Sequence, residues 1–412
     1  MIAGRPAGPV LLPVLLLALA ACEDAALDGS PPPGPPCPAL PAIEGFVRRQ
    51  GSELEDERGR PVRALGTNVY YLQQLFSYAA QGGDEALAAP ALAALDQAVC
   101  LGLPVVRTHA FNDSADKASI RWQPGVYREE GLRGLDRAVA EARRRGLRLI
   151  LVLANNHPDY GGLPAYAAWA GGGLGPEDFF SDPLMQGYWK DYVTFLLDRI
   201  NPETGVRYRD EPAVFAWEIA NELRCPSCRG TTRSTDAIAA LARNLRAAGA
   251  RQLIADGGEG FDDAYEQYLG ISNRYAVRGD EGMSFSRLAR LPELDLISYH
   301  LYPTPWGLNA ALDSAIWIGR HQAIARAAGK VAYLGELGLR RPGGRDRARA
   351  AVYDRWLGQL FRELEGNLAL FWQLIPPTRR PAHDDGYGVV PADDSETATV
   401  LYHWSRVATG MP

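Results

Sequence analysis

Short apolar runs alternate along this chain with longer stretches in which apolar residues recur at helical spacing. Runs at 64–68, 104–107, 148–153, 213–217, 252–255, 295–299, 331–336 and 368–371 read as strands. Stretches at 86–101, 131–145, 185–200, 235–248, 310–328, 345–360 and 396–407 read as helices, and a long loop follows the fifth strand. Residues 46–65 read as a hairpin with Gly59 near its turn. Alternation of this kind predicts a parallel α/β architecture. Eight such units predict one (β/α)₈ TIM barrel, with the N-terminal β-hairpin closing its bottom. No short repeat period and no appended second domain interrupts the pattern.

In a barrel the site forms at the carboxy ends of the strands. Polar residues stand there with some regularity: Arg107 and His109; Asn155, Asn156 and His157; Asn221 and Glu222; Glu259; His300 and Tyr302; Glu336; Trp372. Alone, a strand-end Arg is more often part of a structural ion pair, a lone His a satisfied core residue, and a Trp packing. Together they describe a site. Glu222 beside Asn221, with Glu336 ending another apolar run, is the pair of carboxyls that glycoside hydrolysis requires. In the retaining form they stand about 5–5.5 Å apart, one as acid/base and one as nucleophile.

Each neighbour then has a task. Glu222 must hold a proton, and burial with nearby negative charge is expected to raise its pKa. Glu336 must stay ionised, with Arg107 and Tyr302 as its cation and donor. Asn221 reaches the sugar 2-hydroxyl, a contact that strengthens in the transition state. His300 orients Glu222, and Trp372 forms an apolar floor for a pyranose ring. Asn155, Asn156 and Glu259 join Arg107, Asn221, His300, Tyr302 and Trp372 as substrate-binding candidates, Glu259 from a Gly-rich loop. Glu218 lies on the strand of Glu222 and is its rival, but strand alternation gives it a structural reading.

The chain has 412 residues, 47% of them hydrophobic, with a formal charge of −6 and no basic run. That argues against nucleic acid as a partner and suits an uncharged polysaccharide. The apolar stretch from Val10 to Ala21 is too short to span a bilayer and ends in Leu19-Ala20-Ala21-Cys22. Residues 1–22 thus look like a bacterial lipoprotein signal with lipobox Cys22; an ordinary secretory signal with a chance Cys is the alternative. Residues 23–43 are rich in proline and read as a stiff tether, leaving 44–412 as the folded domain. The expected location is the cell envelope or beyond it, with membrane contact only through the lipid, and the expected state is a monomer.

Four more cysteines follow the lipobox: Cys37, Cys100, Cys225 and Cys228. Cys225-Pro226-Ser227-Cys228 admits a zinc site, a redox pair or a small disulfide pinning the loop. Zinc needs two further ligands, and no matching CxxC or HxxxH pair exists. A redox pair calls for a thioredoxin-like context, which is missing. The disulfide fits best, whereas a Cys37–Cys100 bond is left open. His109, His157 and His300 show no HxxxH or HxH spacing, so neither metal nor other cofactor is invoked.

The segments GLPVVRTHAF, GVYREEGLRGLDRAVAEARRRGLRLIL, LANNHPDYGGLPAYAAWA, FAWEIANELRC, ISYHLYP, LGELG and FWQL carry a resemblance to glycoside hydrolase family 5. It runs from about Gly45 to Trp404 and is strongest to the endo-β-1,4-mannanases. The resemblance implies Glu222 as acid/base and Glu336 as nucleophile, with Arg107, Asn221, His300, Tyr302 and Trp372 lining the reacting subsite. Fungal-type members also carry a CxxC after the acid/base, which supports a Cys225–Cys228 disulfide. This chain departs from them at Leu223, where Pro is usual, at His157, where Trp is common, and at Tyr160, where Phe is common. The reading is a retaining endo-β-1,4-mannanase acting on mannan, glucomannan or galactomannan. An endo-β-1,4-glucanase, an exo-β-mannosidase and a non-catalytic glycan-binding lipoprotein remain as alternatives.

Overall fold

The computed structural model describes residues 37, 39–341, 346–376, 378 and 383–410. The expected signal, Cys22 and the tether up to residue 36 lie outside them.

Eight parallel strands form a closed barrel. They are β1 (Ala64–Asn68), β2 (Val105–His109), β3 (Arg148–Val152), β4 (Val214–Glu218), β5 (Leu253–Ala255), β6 (Leu296–Leu301), β7 (Val331–Leu337) and β8 (Leu368–Phe371). β8 returns to β1 with Leu368 opposite Ala64 and Phe371 opposite Thr67, so no strand edge is left open. Every strand residue except Arg148 is buried, which is why the strands read as continuous apolar runs rather than alternating ones. Leu65, Val106, Leu151 and Trp217 pack outward against the helices. Ala64, Val105, Ile150, Ala216 and Leu368 fill the interior.

A short hairpin, Arg48–Gln50 with Glu53–Glu55, precedes the barrel. It turns at Gly51-Ser52 rather than near Gly59, which sits in a second turn after it. Val47 and Leu54 pack into the interior cluster beside Ala64 and Val105, at the amino ends of the strands, so the hairpin closes the bottom as expected.

Two differences from the sequence reading have physical causes. Helix Leu72–Gly82 was not legible because its buried face includes Gln73 and Ser77. The Gln73 amide donates to Ala118 O at 2.7 Å and Gly131 O at 3.0 Å, partners supplied by distant chain. Between β5 and β6, where the sequence reading placed a long loop, the only α-helix is the four-residue Phe285–Leu288, amid 3₁₀ turns. The compact unit also begins at Cys37, not at 44. Cys37 is bonded to Cys100, Leu40 is buried, and Pro41 lies over Gly146, which has no Cβ to obstruct it. The last part of the expected tether is therefore fastened to the barrel.

Candidate active site

The carboxy ends of the strands surround a cavity of about 740 Å³. Glu222, Glu336, Asn155, Asn221, Glu259, Tyr302 and Trp372 line it, together with His157, Tyr160, Arg224 and Trp306. Arg107 and His300 stand behind this wall, buried beneath the carboxylates. Asn156 is a correction: it does not line the cavity, and its side-chain oxygen accepts the backbone N–H of Arg224 at 3.4 Å.

Glu222 owes its position to a break in the backbone. Past β4 the chain adopts a left-handed conformation at Glu222, with φ of +52°. Such a conformation costs a non-glycine residue about 1–3 kcal/mol and persists only where surrounding structure enforces it. The enforcement is visible. Asn221 N–H donates to Ala154 O at 2.8 Å, and Glu222 N–H donates to Gly257 O at 2.9 Å. Gly257, at φ +82°, permits that approach; a Cβ there would meet Ala220 O at 2.2 Å. Glu336 is set by register instead. It pairs with His300 across β6 and β7, where the ladder shifts between Tyr299 and His300. Trp317 Nε1 donates to the His300 carbonyl at 2.8 Å and holds that strand end.

Selected atoms of Glu222, His300 and Glu336 lie within 4.8 Å of one another. Arg107 Nη1 donates to Glu336 Oε1 at 2.7 Å, and Tyr302 OH donates to Oε2 at 2.6 Å. Glu222 is held differently: Oε1 lies 2.8 Å from His300 Nδ1 and Oε2 lies 2.9 Å from His157 Nε2. Arg107 cannot accept a proton, and the Tyr302 hydroxyl is kept protonated by burial and by the Glu336 charge beside it. Imidazole nitrogens can both give and take protons. Glu222 is therefore the carboxyl with two hydrogen-bond partners able to exchange a proton with it.

The expectation of a raised Glu222 pKa is overturned. Burial does push it up, but the hydrogen bonds from His157 and His300 outweigh burial and carry it below the usual carboxylate range. His157 and His300 are correspondingly raised, His157 chiefly by its bond to Glu222, His300 by Glu336 and Glu222 against the cost of burial. Burial pushes Glu336 upward, opposed by His300 and Arg107. His109, buried next to Arg107, is pushed down to about 3, first by burial and then by the Arg107 charge.

Glu218 has the structural position the strand pattern assigned it. It points into the barrel, fully buried, and accepts Arg107 Nε at 2.9 Å and Arg107 Nη2. Tyr333 OH donates to it at 2.6 Å. Arg107 also donates to Asn68 Oδ1 at 3.0 Å and to Asn221 Oδ1 at 2.7 Å. One guanidinium thus ties Glu218, Glu336 and the Asn221 amide together. Asn221 spends one N–H on Asn155 Oδ1 at 3.1 Å, and among the described residues its second N–H has no hydrogen-bond partner. Glu259 lines the cavity but is engaged by Arg224 through two bonds of 2.7 Å, so it forms an ion pair in the wall. Trp372 stacks on Tyr70 with ring centroids 5.4 Å apart, and its Nε1 donates to Asp385 at 2.6 Å.

Cys225 is bonded to Cys228, just past Glu222. Arg224, Trp306 and Tyr70 were missed because their apolar or paired surroundings give no sign in one dimension. His157 was read among the strand-end polar residues of the site but given no role there; its bond to Glu222 emerges only when the loops after β3 and β4 meet.

A family model described as GH family 5 beta-mannosidase-like matches residues 44–369. Among curated proteins, the chain is 35% identical over 382 residues to putative mannan endo-1,4-beta-mannosidase 5 of Oryza sativa subsp. japonica, covering 88% of this chain and 76% of the relative. It is 33% identical over 387 residues to mannan endo-1,4-beta-mannosidase 7 of Arabidopsis thaliana, covering 90% and 87%. Among solved structures it is similar to the endo-1,4-beta-mannanase from Rhizomucor miehei, with 30% identity, a TM-score of 0.77, and coverage of 88% of this chain and 99% of that one. The endo-beta-1,4-mannanase from Thermotoga petrophila gives 30% identity and a TM-score of 0.76, covering 86% and 79%.

Proposed function

The chain belongs to glycoside hydrolase family 5, in its β-mannosidase-like group, and from that premise we propose that it is a retaining endo-β-1,4-mannanase with Glu336 as nucleophile and Glu222 as acid/base. One observation carries the mechanism: an oxygen of Glu222 and an oxygen of Glu336 lie within 4.8 Å. That separation suits direct attack by one carboxylate, whereas inversion needs about 6.5–9.5 Å to seat a water between them.

In the first step the Glu222 side protonates the departing sugar oxygen while Glu336 attacks the anomeric carbon. Arg107 and Tyr302 hold the attacking carboxylate in line. In the second step Glu222 takes a proton from water, whose oxygen displaces Glu336 from the sugar. The free N–H of Asn221 serves the 2-hydroxyl, and Trp372, backed by Tyr70, serves as the ring platform. The same proposal includes an exported enzyme anchored by lipid at Cys22 and acting as a monomer. Two disulfides support an oxidising compartment outside the cytoplasm.

The test is hydrolysis of a mannan and of a β-1,4-glucan by the full chain, beside Glu336→Ala. Mannan is expected to yield short oligosaccharides, and kcat in the variant to fall on the order of 10⁴-fold or more. Cleavage of glucan alone would overturn the substrate, and release of single mannose units alone the endo action. A variant with wild-type turnover would overturn the nucleophile.

A further inference from the structure

Both oxygens of Glu222 are occupied, each by a different imidazole. His300 is fully enclosed, but the His157 side chain is 39% exposed and faces the open cavity. A substrate approaching Glu222 from the cavity therefore meets the Oε2–His157 side first. The position is also rigidly supplied. Asn155 Oδ1 accepts the backbone N–H of His157 at 3.2 Å and the Asn221 side chain at 3.1 Å. Asn156 N–H donates to Asn221 O at 3.0 Å, so the loop after β3 is stitched to the residue beside Glu222.

We propose that His157 is a proton-holding and positioning residue: with Glu222 it forms a dyad that carries one shared proton between turnovers and aims Oε2 at the glycosidic oxygen. The inference rests on the reading of Glu222 as acid/base. The proton leaves the dyad for the departing sugar oxygen as the C1–O bond breaks and a Glu336 oxygen bonds C1. It is replaced when water loses a proton to the dyad, as the water oxygen takes C1 from Glu336. Protons and charge balance over the cycle.

The charged groups facing His157 are Glu222, Glu259 and Arg224. Those facing Glu222 are His157, His300, Glu336, Arg224 and Glu259. The hydrogen bond to Glu222 raises His157, burial and Arg224 oppose it, and Glu259 adds to it. A pair with two sites for one proton holds that proton to higher pH than a single carboxyl in the same place. Losing His157 should therefore bring the alkaline limb of kcat/KM to lower pH.

The experiment compares wild type, His157→Gln and His157→Phe as full chains on a manno-oligosaccharide across pH. Gln can still donate an N–H to Oε2 but does not titrate. In both variants the alkaline limb is expected about one unit or more lower. Below that limb Gln should keep more of the wild-type kcat than Phe, because it still donates to Oε2. A limb unchanged in the Gln variant would overturn the proposal, leaving His157 a merely structural donor. NMR titration of the His157 imidazole in wild type and Glu222→Gln reads the dyad without turnover. A midpoint that falls in Glu222→Gln supports the dyad, and one that stays overturns it. A wild type inactive on mannan, with that NMR shift present, would overturn the reading of function and not the dyad.

Discussion

Replacing Glu218 with Gln separates the carboxyl that ends β4 from Glu222 just past it by their opposite signatures. Glu218 receives Arg107 Nε at 2.9 Å, Arg107 Nη2, and Tyr333 OH at 2.6 Å, all without solvent. An amide keeps one acceptor oxygen and turns the other position into a donor. If the oxygen stays with Tyr333 and Arg107 Nε, the new NH₂ faces Arg107 Nη2, donor against donor. The substitution removes a charge-assisted bond of about 1.5–3 kcal/mol and the counter-charge of a buried cation. Breaking one partner of a buried ion pair costs roughly 3–5 kcal/mol. For a chain of this size the expected fall in Tm is about 4–6 °C. Arg107 still holds Glu336 and Asn221, so kcat should fall only about tenfold. Glu222→Gln should do the reverse. Its amide can accept from His300 and donate to His157, so Tm stays near wild type, while loss of the acid lowers kcat about 10³-fold. Scanning calorimetry with steady-state hydrolysis checks both variants. If Glu218→Gln kept its Tm and lost turnover while Glu222→Gln stayed active, the assignment would be reversed and the reasoning refuted.

Two further expectations concern stability. The Cys37–Cys100 bond closes a separation of 63 residues and the Cys225–Cys228 bond one of 3. Chain-entropy arguments give about 4 kcal/mol for the first and about 2 kcal/mol for the second. The double Cys→Ser variant of the first pair should have the lower Tm; the opposite order would show that the long loop is not what the bond restrains. His109 is held down to about 3, so below its unfolded value of about 6.5 the unfolded chain binds a proton that the native state refuses. Its share of stability is intact above pH 6.5 and is lost as pH falls towards 3, by about 2 kcal/mol at pH 5. The urea midpoint should be lower at pH 5 than at pH 7, and His109→Phe should narrow the gap; an equal gap in both proteins would contradict the assignment.

The order of residues alone determined the barrel and the two carboxyls. Strands buried on both faces are mostly apolar, and a site at their carboxy ends puts polar residues at or just past the end of each run, as at Asn221-Glu222 and Glu336. Those are local regularities, and a one-dimensional pattern records them. Tertiary structure alone decided which groups hydrogen-bond one another. Arg107 meets Glu218, Glu336 and Asn221, and His157 meets Glu222, only because the barrel closes and the loop after β3 is pinned to the loop after β4. The direction of the Glu222 pKa followed from those neighbours, not from its own burial. Helix Leu72–Gly82 and the Cys37–Cys100 bond were hidden for the same reason. Their defining contacts come from residues far away in sequence, and the energy of such contacts exists only after the chain has brought them together.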